Sequence, residues 1–590
     1  MKPEKRRSKS LDDIKLKENR LSCYQNTSSP VVTLIKRHSL RELNTTEYMR
    51  MATIYGWVTV TRKQPEHTHV PVMNLFQSKT EPSPPIENDP HIFDLLSIDN
   101  DCCIHYGKSD RTVTSALVEK LIEKLTREID NEFLMDFFLV FRQFLTPIKL
   151  CKLLILRFRW ALLEDTDQRR LIRIRTFVVI RHWLTHYWTF DFLGSRTLRF
   201  MLSTFLTQLQ THPLILASPR DERIIKNLRT VFKRQRKHYS ETHRKDSAIS
   251  ISTVPVPKWT SKMRHSIRKT WEDDSKHTRL LAYLTPSQPS STVTTGYKSI
   301  ILQYRSEIMA QQFCLIEQVM LQNVTWDELV ELRWRKRSSK RQSFVIDMAT
   351  LSQESDGVDQ MIAYFNTICQ WVASEIVRSQ QSDIRIKVIE KFIRIALKCY
   401  QHRNYSTMMQ ILLGLQSPAV SRLEKTWQKV NHCEIELFNQ LKEMAKPFRN
   451  WKNVRDCMTE AVEEIAESFA VESVLTKSQT TLDHKQGCIP FLGLYLSDLV
   501  FVAELPTFIQ SSCSDNHDNI RDNQLCERLN HHLVNYNKFR ITASVVKHVL
   551  AFQVLSRTYK FKIQHDLYTQ LQSLSLLDNA QVREASLKCE

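Results

Sequence analysis

The sequence predicts an all-α protein of several domains. Three observations carry this. Glycine fills only 8 of 590 positions, far below the usual share of about 7%, so few sites can hold the positive φ angles of tight β-hairpins. Apolar residues recur at steps of three and four over long stretches, the period of a helix face. Polar and basic segments separate those stretches, and a chain of this length exceeds one core, with room for roughly three to five units.

Residues 1–99 read as a mostly disordered N-terminal region, polar and rich in Ser, Thr, Pro and Lys/Arg, with only short apolar bursts. Basic residues precede Ser10, Ser39 and Ser343, the local pattern of a basophilic-kinase site. A packed helical domain is expected over 100–215. There Leu117, Leu121 and Leu125 recur at four-residue steps, Phe133 to Phe144 is dense in aromatics, and Pro147 after Thr146 suits a helix start. Residues 216–298 read as a basic linker, with ten Lys/Arg against four Asp/Glu between Pro219 and Asp246. Within it Trp259, Met263, Ile267 and Trp271 fall four apart with Lys and Arg between them. This suits a basic amphipathic helix, lying on an anionic membrane, in a partner groove or on a neighbouring domain.

A second, larger helical domain is expected over 299–560. Thr325-Trp-Asp-Glu328 reads as a capping box, and Lys387–Ala396 and Asn404–Leu415 as amphipathic helices. A basic loop at Arg335–Arg341 interrupts the series. Residues 561–590 read as a C-terminal tail.

Composition and motifs exclude several classes. The thirteen cysteines are scattered without a C-x-x-C pair, which fits a reducing, cytoplasmic setting rather than a disulfide scaffold or a zinc site. No uncharged apolar run of about 18 residues occurs, so no membrane span is expected. Neither a glycine-rich phosphate loop, nor G-x-S-x-G, nor H-E-x-x-H is present. No covalent catalysis, metal or cofactor is expected. The formal charge of +20 sits mainly in the N-terminal region and linker, not interleaved with stacking aromatics, which argues against nucleic acid as a partner.

The most informative stretch is Cys488-Ile-Pro-Phe-Leu-Gly-Leu-Tyr-Leu-Ser-Asp-Leu-Val-Phe-Val-Ala-Glu504. Pro490 pushes Ile489 toward an extended conformation, and no further Gly or Pro follows Gly493 until Pro506. A helix starting near Phe491 would set Phe491, Tyr495, Leu499 and Val502 on one side, and Val500 and Glu504 one turn apart on another. It reads either as a buried core helix with an exposed terminal acid, or as an apolar ridge that ends in a working carboxylate.

This run closes a collinear series: Ala310-Gln-Gln-Phe-Cys-Leu-Ile-Glu317; Phe365-Asn366 with Trp371-Val-Ala-Ser-Glu-Ile376; Lys387–Ala396; Asn404-Tyr-Ser-Thr-Met-Met; Leu415–Trp427; and Arg449-Asn-Trp-Lys-Asn453. In that order the segments resemble the catalytic domain of Ras-family guanine-nucleotide exchange factors. Phe133–Phe144, Leu154–Phe158 and Arg175–Leu184 are similar to the Ras exchanger motif domain that accompanies it, the last with a fungal mitotic-exit flavour.

The resemblance implies an all-α bowl with a protruding helical hairpin and an N-terminal exchanger-motif domain, joined by the basic linker. It implies a Ras-superfamily small GTPase as partner and release of bound nucleotide without bond chemistry. The hairpin helix would be the wedge, with uncharged Val500 toward the GTPase's magnesium site and Glu504 near the α-phosphate. Met409, Trp451, Phe491 and Tyr536 map onto an apolar pocket for the GTPase's switch II, and Gln416 onto a further GTPase contact. Gln416 stands where the family has Asn, Trp451 where it has Tyr or Phe, and Ala503-Glu504-Leu505-Pro506 where it turns on Gly. These departures motivate an alternative, a GTPase-binding scaffold without exchange.

Overall fold

A computed structural model describes residues 91–100, 102–107, 112–249, 299–338, 356–463, 465, 467–476, 485–510 and 532–590. Ser10, Ser39, Ser343, the Trp259–Trp271 island, nearly all of the expected N-terminal region and most of the basic loop lie outside these residues.

The N-terminal unit starts before residue 100. A short helix α1 (Ile92–Leu95) buries Phe93, Leu95 and Leu96. Strands β1 (Ile104–Tyr106) and β2 (Val113–Ala116) follow, and then helices α2 (Val118–Arg127), α3 (Asn131–Val140), α4 (Pro147–Trp160), α5 (Asp167–His186), α6 (Arg196–Leu209), α7 (Pro213–Leu216) and α8 (Pro219–Ile249). Local signals start these helices. Asp130 accepts the amides of Glu132 and Phe133, and Thr146, Thr166 and Ser195 each accept an amide three residues on.

Helix α8 corrects the linker reading. Its first half packs against α5, burying Ile225, Leu228 and Phe232, while the buried Arg173 guanidinium pairs with Asp221 at 3.1 Å. The density of Lys and Arg hid an apolar stripe at i, i+3 and i+7.

The second unit contains α9 (Ser306–Asn323), α10 (Trp326–Glu331), α11 (Arg333–Ser338), α12 (Gly357–Arg378), α13 (Ser382–Gln401), α14 (Tyr405–Leu415), α15 (Pro418–Ser421), α16 (Glu424–Trp427), α17 (His432–Met444), α18 (Lys452–Glu463), α19 (Glu467–Leu475) and α20 (Leu492–Ala503). After these come β3 (Phe508–Gln510), β4 (His532–Val534), α21 (Tyr536–Ser556), α22 (His565–Gln572) and α23 (Asn579–Cys589). Helices α9, α12, α13 and α14 pack on one another around Phe313, Ile368, Trp371, Phe392 and Met408, all buried. Each such side chain contributes about 1.5–3 kcal/mol of burial free energy.

Residues 561–590 are not a loose tail. Leu567, Leu571 and Val582 are buried, and the Glu590 carboxylate accepts the Thr426 amide at 2.7 Å and its hydroxyl at 2.6 Å.

The two units share one core and one sheet. Strand order is β1-β2-β4-β3, antiparallel throughout, with Ala116 opposite Val534 joining the halves. The helical prediction stands, and this small sheet is the exception to it. Around it Phe133 meets Tyr536 at 5.2 Å and Phe144 meets Phe539 at 4.8 Å. Lys547 and Asp136, both buried, pair at 2.9 Å. Trp326 packs against Tyr187 and Phe190, with the Arg142 guanidinium 5.0 Å above its ring.

Candidate functional site

The apolar run is a short extended segment feeding helix α20. Ile489 is pinned beside Asn404: its amide donates to Arg403 O and its carbonyl accepts from Tyr405 N, both at 3.0 Å. Pro490 keeps the chain extended, and Phe491 caps the helix. Leu492, Tyr495, Leu496, Leu499 and Val502 are buried, Val500 is half-buried, and Phe501 and Glu504 are exposed. The helix therefore seats most of its girth in the core against α21.

At its base an aromatic cluster forms. The Phe491 ring stacks on Phe365 at 5.4 Å and meets Trp451 edge-on at 5.6 Å, geometries that favour aromatic pairs. A shallow apolar cleft opens there, lined by Met361, Ile362, Phe365, Phe491 and Leu492. Trp451 arrives on a strained loop: Arg449, Asn450 and Trp451 have φ of 49°, 58° and 62°, three consecutive non-glycine residues in the left-handed region, each disfavoured by about 1–2 kcal/mol. Beside them Phe448 is exposed under the Arg449 guanidinium, 5.2 Å from its ring centre. Arg455 holds the arrangement, donating to Asn450 O at 2.9 Å and, bidentate, to Asp498 of α20 at 2.7 and 3.0 Å.

The far end of α20 is organised by charge. The Lys538 ammonium donates to Ala503 O at 3.2 Å, Leu505 O at 2.6 Å and Thr507 Oγ1 at 3.4 Å, and Asn535 Nδ2 reaches Pro506 O at 3.0 Å. These contacts hold the turn without glycine. Burial lowers the Lys538 pKa, partly offset by Glu504. Glu504 is 64% exposed in its side chain and pairs with Arg335 Nη1 at 3.0 Å.

The structure sorts the sequence candidates into three groups. Phe491 and Trp451 meet at the base; Val500 and Glu504 lie along the outer edge. Met409 is fully buried in α14 and offers no surface. Tyr536 is also buried, its ring against Phe133 of the N-terminal unit; the structure seats it between the units, not as an open pocket wall. Gln416, half-buried at the end of α14, donates its Nε2 to Leu412 O at 3.0 Å, so this amide group is used by its own helix.

Sequence reasoning passed over Arg455 and Lys538, isolated bases with no motif of their own. Arg335 was visible only as the first residue of a basic loop. Among the described residues no group of three or more His, Cys, Asp or Glu is arranged to hold a metal, and no helix is long and apolar enough to cross a membrane. An apolar ridge ending in a carboxylate can displace a neighbour and repel an anion.

Residues 308–540 match the RasGEF domain, and residues 112–207 match the RasGEF N-terminal motif. The chain is similar to the guanine nucleotide exchange factor LTE1 of Kluyveromyces lactis, 29% identical over 288 residues, which are 49% of this chain and 18% of that protein. It is also similar to Ras guanine nucleotide exchange factor W of Dictyostelium discoideum, 24% identical over 497 residues, 79% of this chain and 34% of that protein. A third relative is Ras-specific guanine nucleotide-releasing factor 1 of Mus musculus, 23% identical over 425 residues, 72% of this chain and 26% of that protein. The chain thus spans about a third or less of each of these relatives.

Proposed function

We propose, for a chain that belongs to the Ras-type guanine-nucleotide exchange factors through its RasGEF domain and RasGEF N-terminal motif, that it binds a Ras-superfamily small GTPase and accelerates GDP release. One observation carries the mechanism: α20 is anchored along its length by the core, while Val500, Phe501 and Glu504 reach the surface along one edge. A rigidly seated edge can take the place of a GTPase segment that covers nucleotide. Val500 offers a magnesium ion no oxygen ligand, and Glu504 repels the nucleotide phosphate.

The switch II contact centres on Phe491 and Trp451, aromatic anchors of the type that dominate interface energetics. With Met409 buried and the Gln416 Nε2 bonded to Leu412 O, contact there is through the cleft beside Phe365, or requires those side chains to move. The test is release of labelled GDP from a panel of Ras-, Rap- and mitotic-exit-type GTPases. Acceleration on at least one is expected; none on any overturns the reading.

The second reading, a GTPase-binding scaffold, is favoured by the Gln416 amide bonded to its own helix. It predicts that the chain binds a GTPase yet leaves GDP release unchanged, and that a Val500→Ala, Glu504→Ala double variant retains cellular function.

Recruitment to an anionic membrane is a separate part of the proposal, supported by α8. No Asp or Glu occurs from Arg223 to Tyr239, and Arg223, Lys226, Lys233 and Arg234 are exposed opposite the buried Ile225, Leu228 and Phe232. Each base near such a surface contributes about 1 kcal/mol. Vesicles with anionic lipid should bind the chain more tightly than neutral ones, and reversing these four charges should remove most of the difference. Equal binding to both vesicle types would sink the electrostatic version.

A further inference from the structure

The Arg335–Glu504 pair joins two features that the proposed mechanism leaves apart, the basic segment that begins at Arg335 and the acid at the edge of the wedge. Its mount is well defined. Leu332, with φ of 53°, ends α10 in the left-handed region and redirects the chain at once into α11. Arg333 is tied to Asp327, and Trp334 is buried. The next side chain, Arg335, reaches across 169 positions of sequence to Glu504 Oε1 at 3.0 Å.

Two cations therefore flank Glu504, and they differ in how they are held. Lys538 is fixed by three oxygens of the turn. Arg335 is 40% exposed in its side chain and faces a carboxylate that is 64% exposed, the kind of pair that solvent screens and that opens readily.

We propose that Arg335 is a detachable counter-ion that masks the Glu504 charge while no GTPase is bound and thereby brakes the wedge. The inference rests on the reading of Glu504 as the acid that acts on the nucleotide phosphate. With Arg335 in place, the edge presents an ion pair of no net charge, and the repulsion Glu504 exerts on a phosphate is largely cancelled. With Arg335 displaced, only the fixed Lys538 remains beside Glu504, and more of the negative charge faces the phosphate. Because the pair is exposed, the brake is modest, up to about fivefold in rate.

The experiment measures labelled-GDP release by the full chain across the GTPase panel, with wild type, Arg335→Ala and Arg335→Lys. Arg335→Ala is expected to accelerate release up to about fivefold at roughly 50 mM salt, with the gain shrinking as added salt screens the wild-type pair. Arg335→Lys should restore the brake. In a Glu504→Gln background Arg335→Ala should give no gain, a dependence that a merely structural role for Arg335 would not produce. An active wild type with Arg335→Ala unchanged or slower overturns the brake and leaves the exchange reading standing. An inactive wild type overturns the exchange reading and, because a brake of at most about fivefold cannot silence the chain, the brake with it.

Discussion

The two ends of α20 are built on opposite principles. Its base, around Phe491, Phe365 and Trp451, is aromatic and largely buried beside a shallow apolar cleft. Its far end, around Glu504, Arg335 and Lys538, is exposed, charged and held by a few hydrogen bonds. The base joins packing to the proposed switch II contact and can offer its aromatic face without rearranging, while the tip can exchange partners because little of the fold depends on it.

The strongest way to break this contrast is at the base. Phe491→Ala should cost about 3–5 kcal/mol of stability, read from denaturant unfolding. A loss below about 1 kcal/mol would mean that the base is not core-like. Lys538→Met, at the turn, should cost about 1–3 kcal/mol by leaving the carbonyls of Ala503 and Leu505 without their donor. Faster amide exchange confined to residues 503–507 would be its signature.

Glu328 lies in α10, the helix that leads into the mount of Arg335. It accepts the Val358 amide at 2.9 Å and the Thr325 amide at 3.5 Å, yet burial raises its pKa to about 7 from an ordinary 4.5. A carboxyl raised on folding binds its proton more tightly in the native state, so its contribution is present below pH 4.5 and lost as pH rises through about 7. Unfolding midpoints should fall across that window in wild type, and Glu328→Gln should flatten the slope. An identical slope in the variant would assign the titration elsewhere.

The smallest effect on stability belongs to the tip. Glu504→Gln should leave unfolding within about 0.5 kcal/mol of wild type while slowing GDP release on the order of fivefold or more. A variant that loses stability but keeps its rate would reverse the contrast.

What was legible in the sequence follows the range of the interaction. The Thr325–Glu328 box and the apolar stripe of α20 are local, written within one or two turns, and both are present. The partners of Glu504 and Asp498 are not local. Arg335 lies 169 positions from Glu504 and Arg455 lies 43 from Asp498, and a lone base of this kind looks in sequence like any solvated side chain. Met409, Gln416 and Tyr536 teach the complementary lesson. Their place in a motif suggested a shared surface, but burial depends on packing from elements far along the chain. In α8, charge density concealed a stripe that periodicity alone would have found.

The pairing of Ala116 with Val534 has a consequence for biosynthesis. The N-terminal hairpin of β1 and β2 leaves the ribosome with its β2 edge unpaired, and the strand that covers that edge lies roughly 400 residues downstream. At about 5–20 residues per second, that edge waits roughly 20–80 s for its partner. Throughout that interval the nascent chain carries an unsatisfied strand edge able to pair with another chain. The N-terminal unit therefore reaches its final sheet only once the segment after α20 has been made.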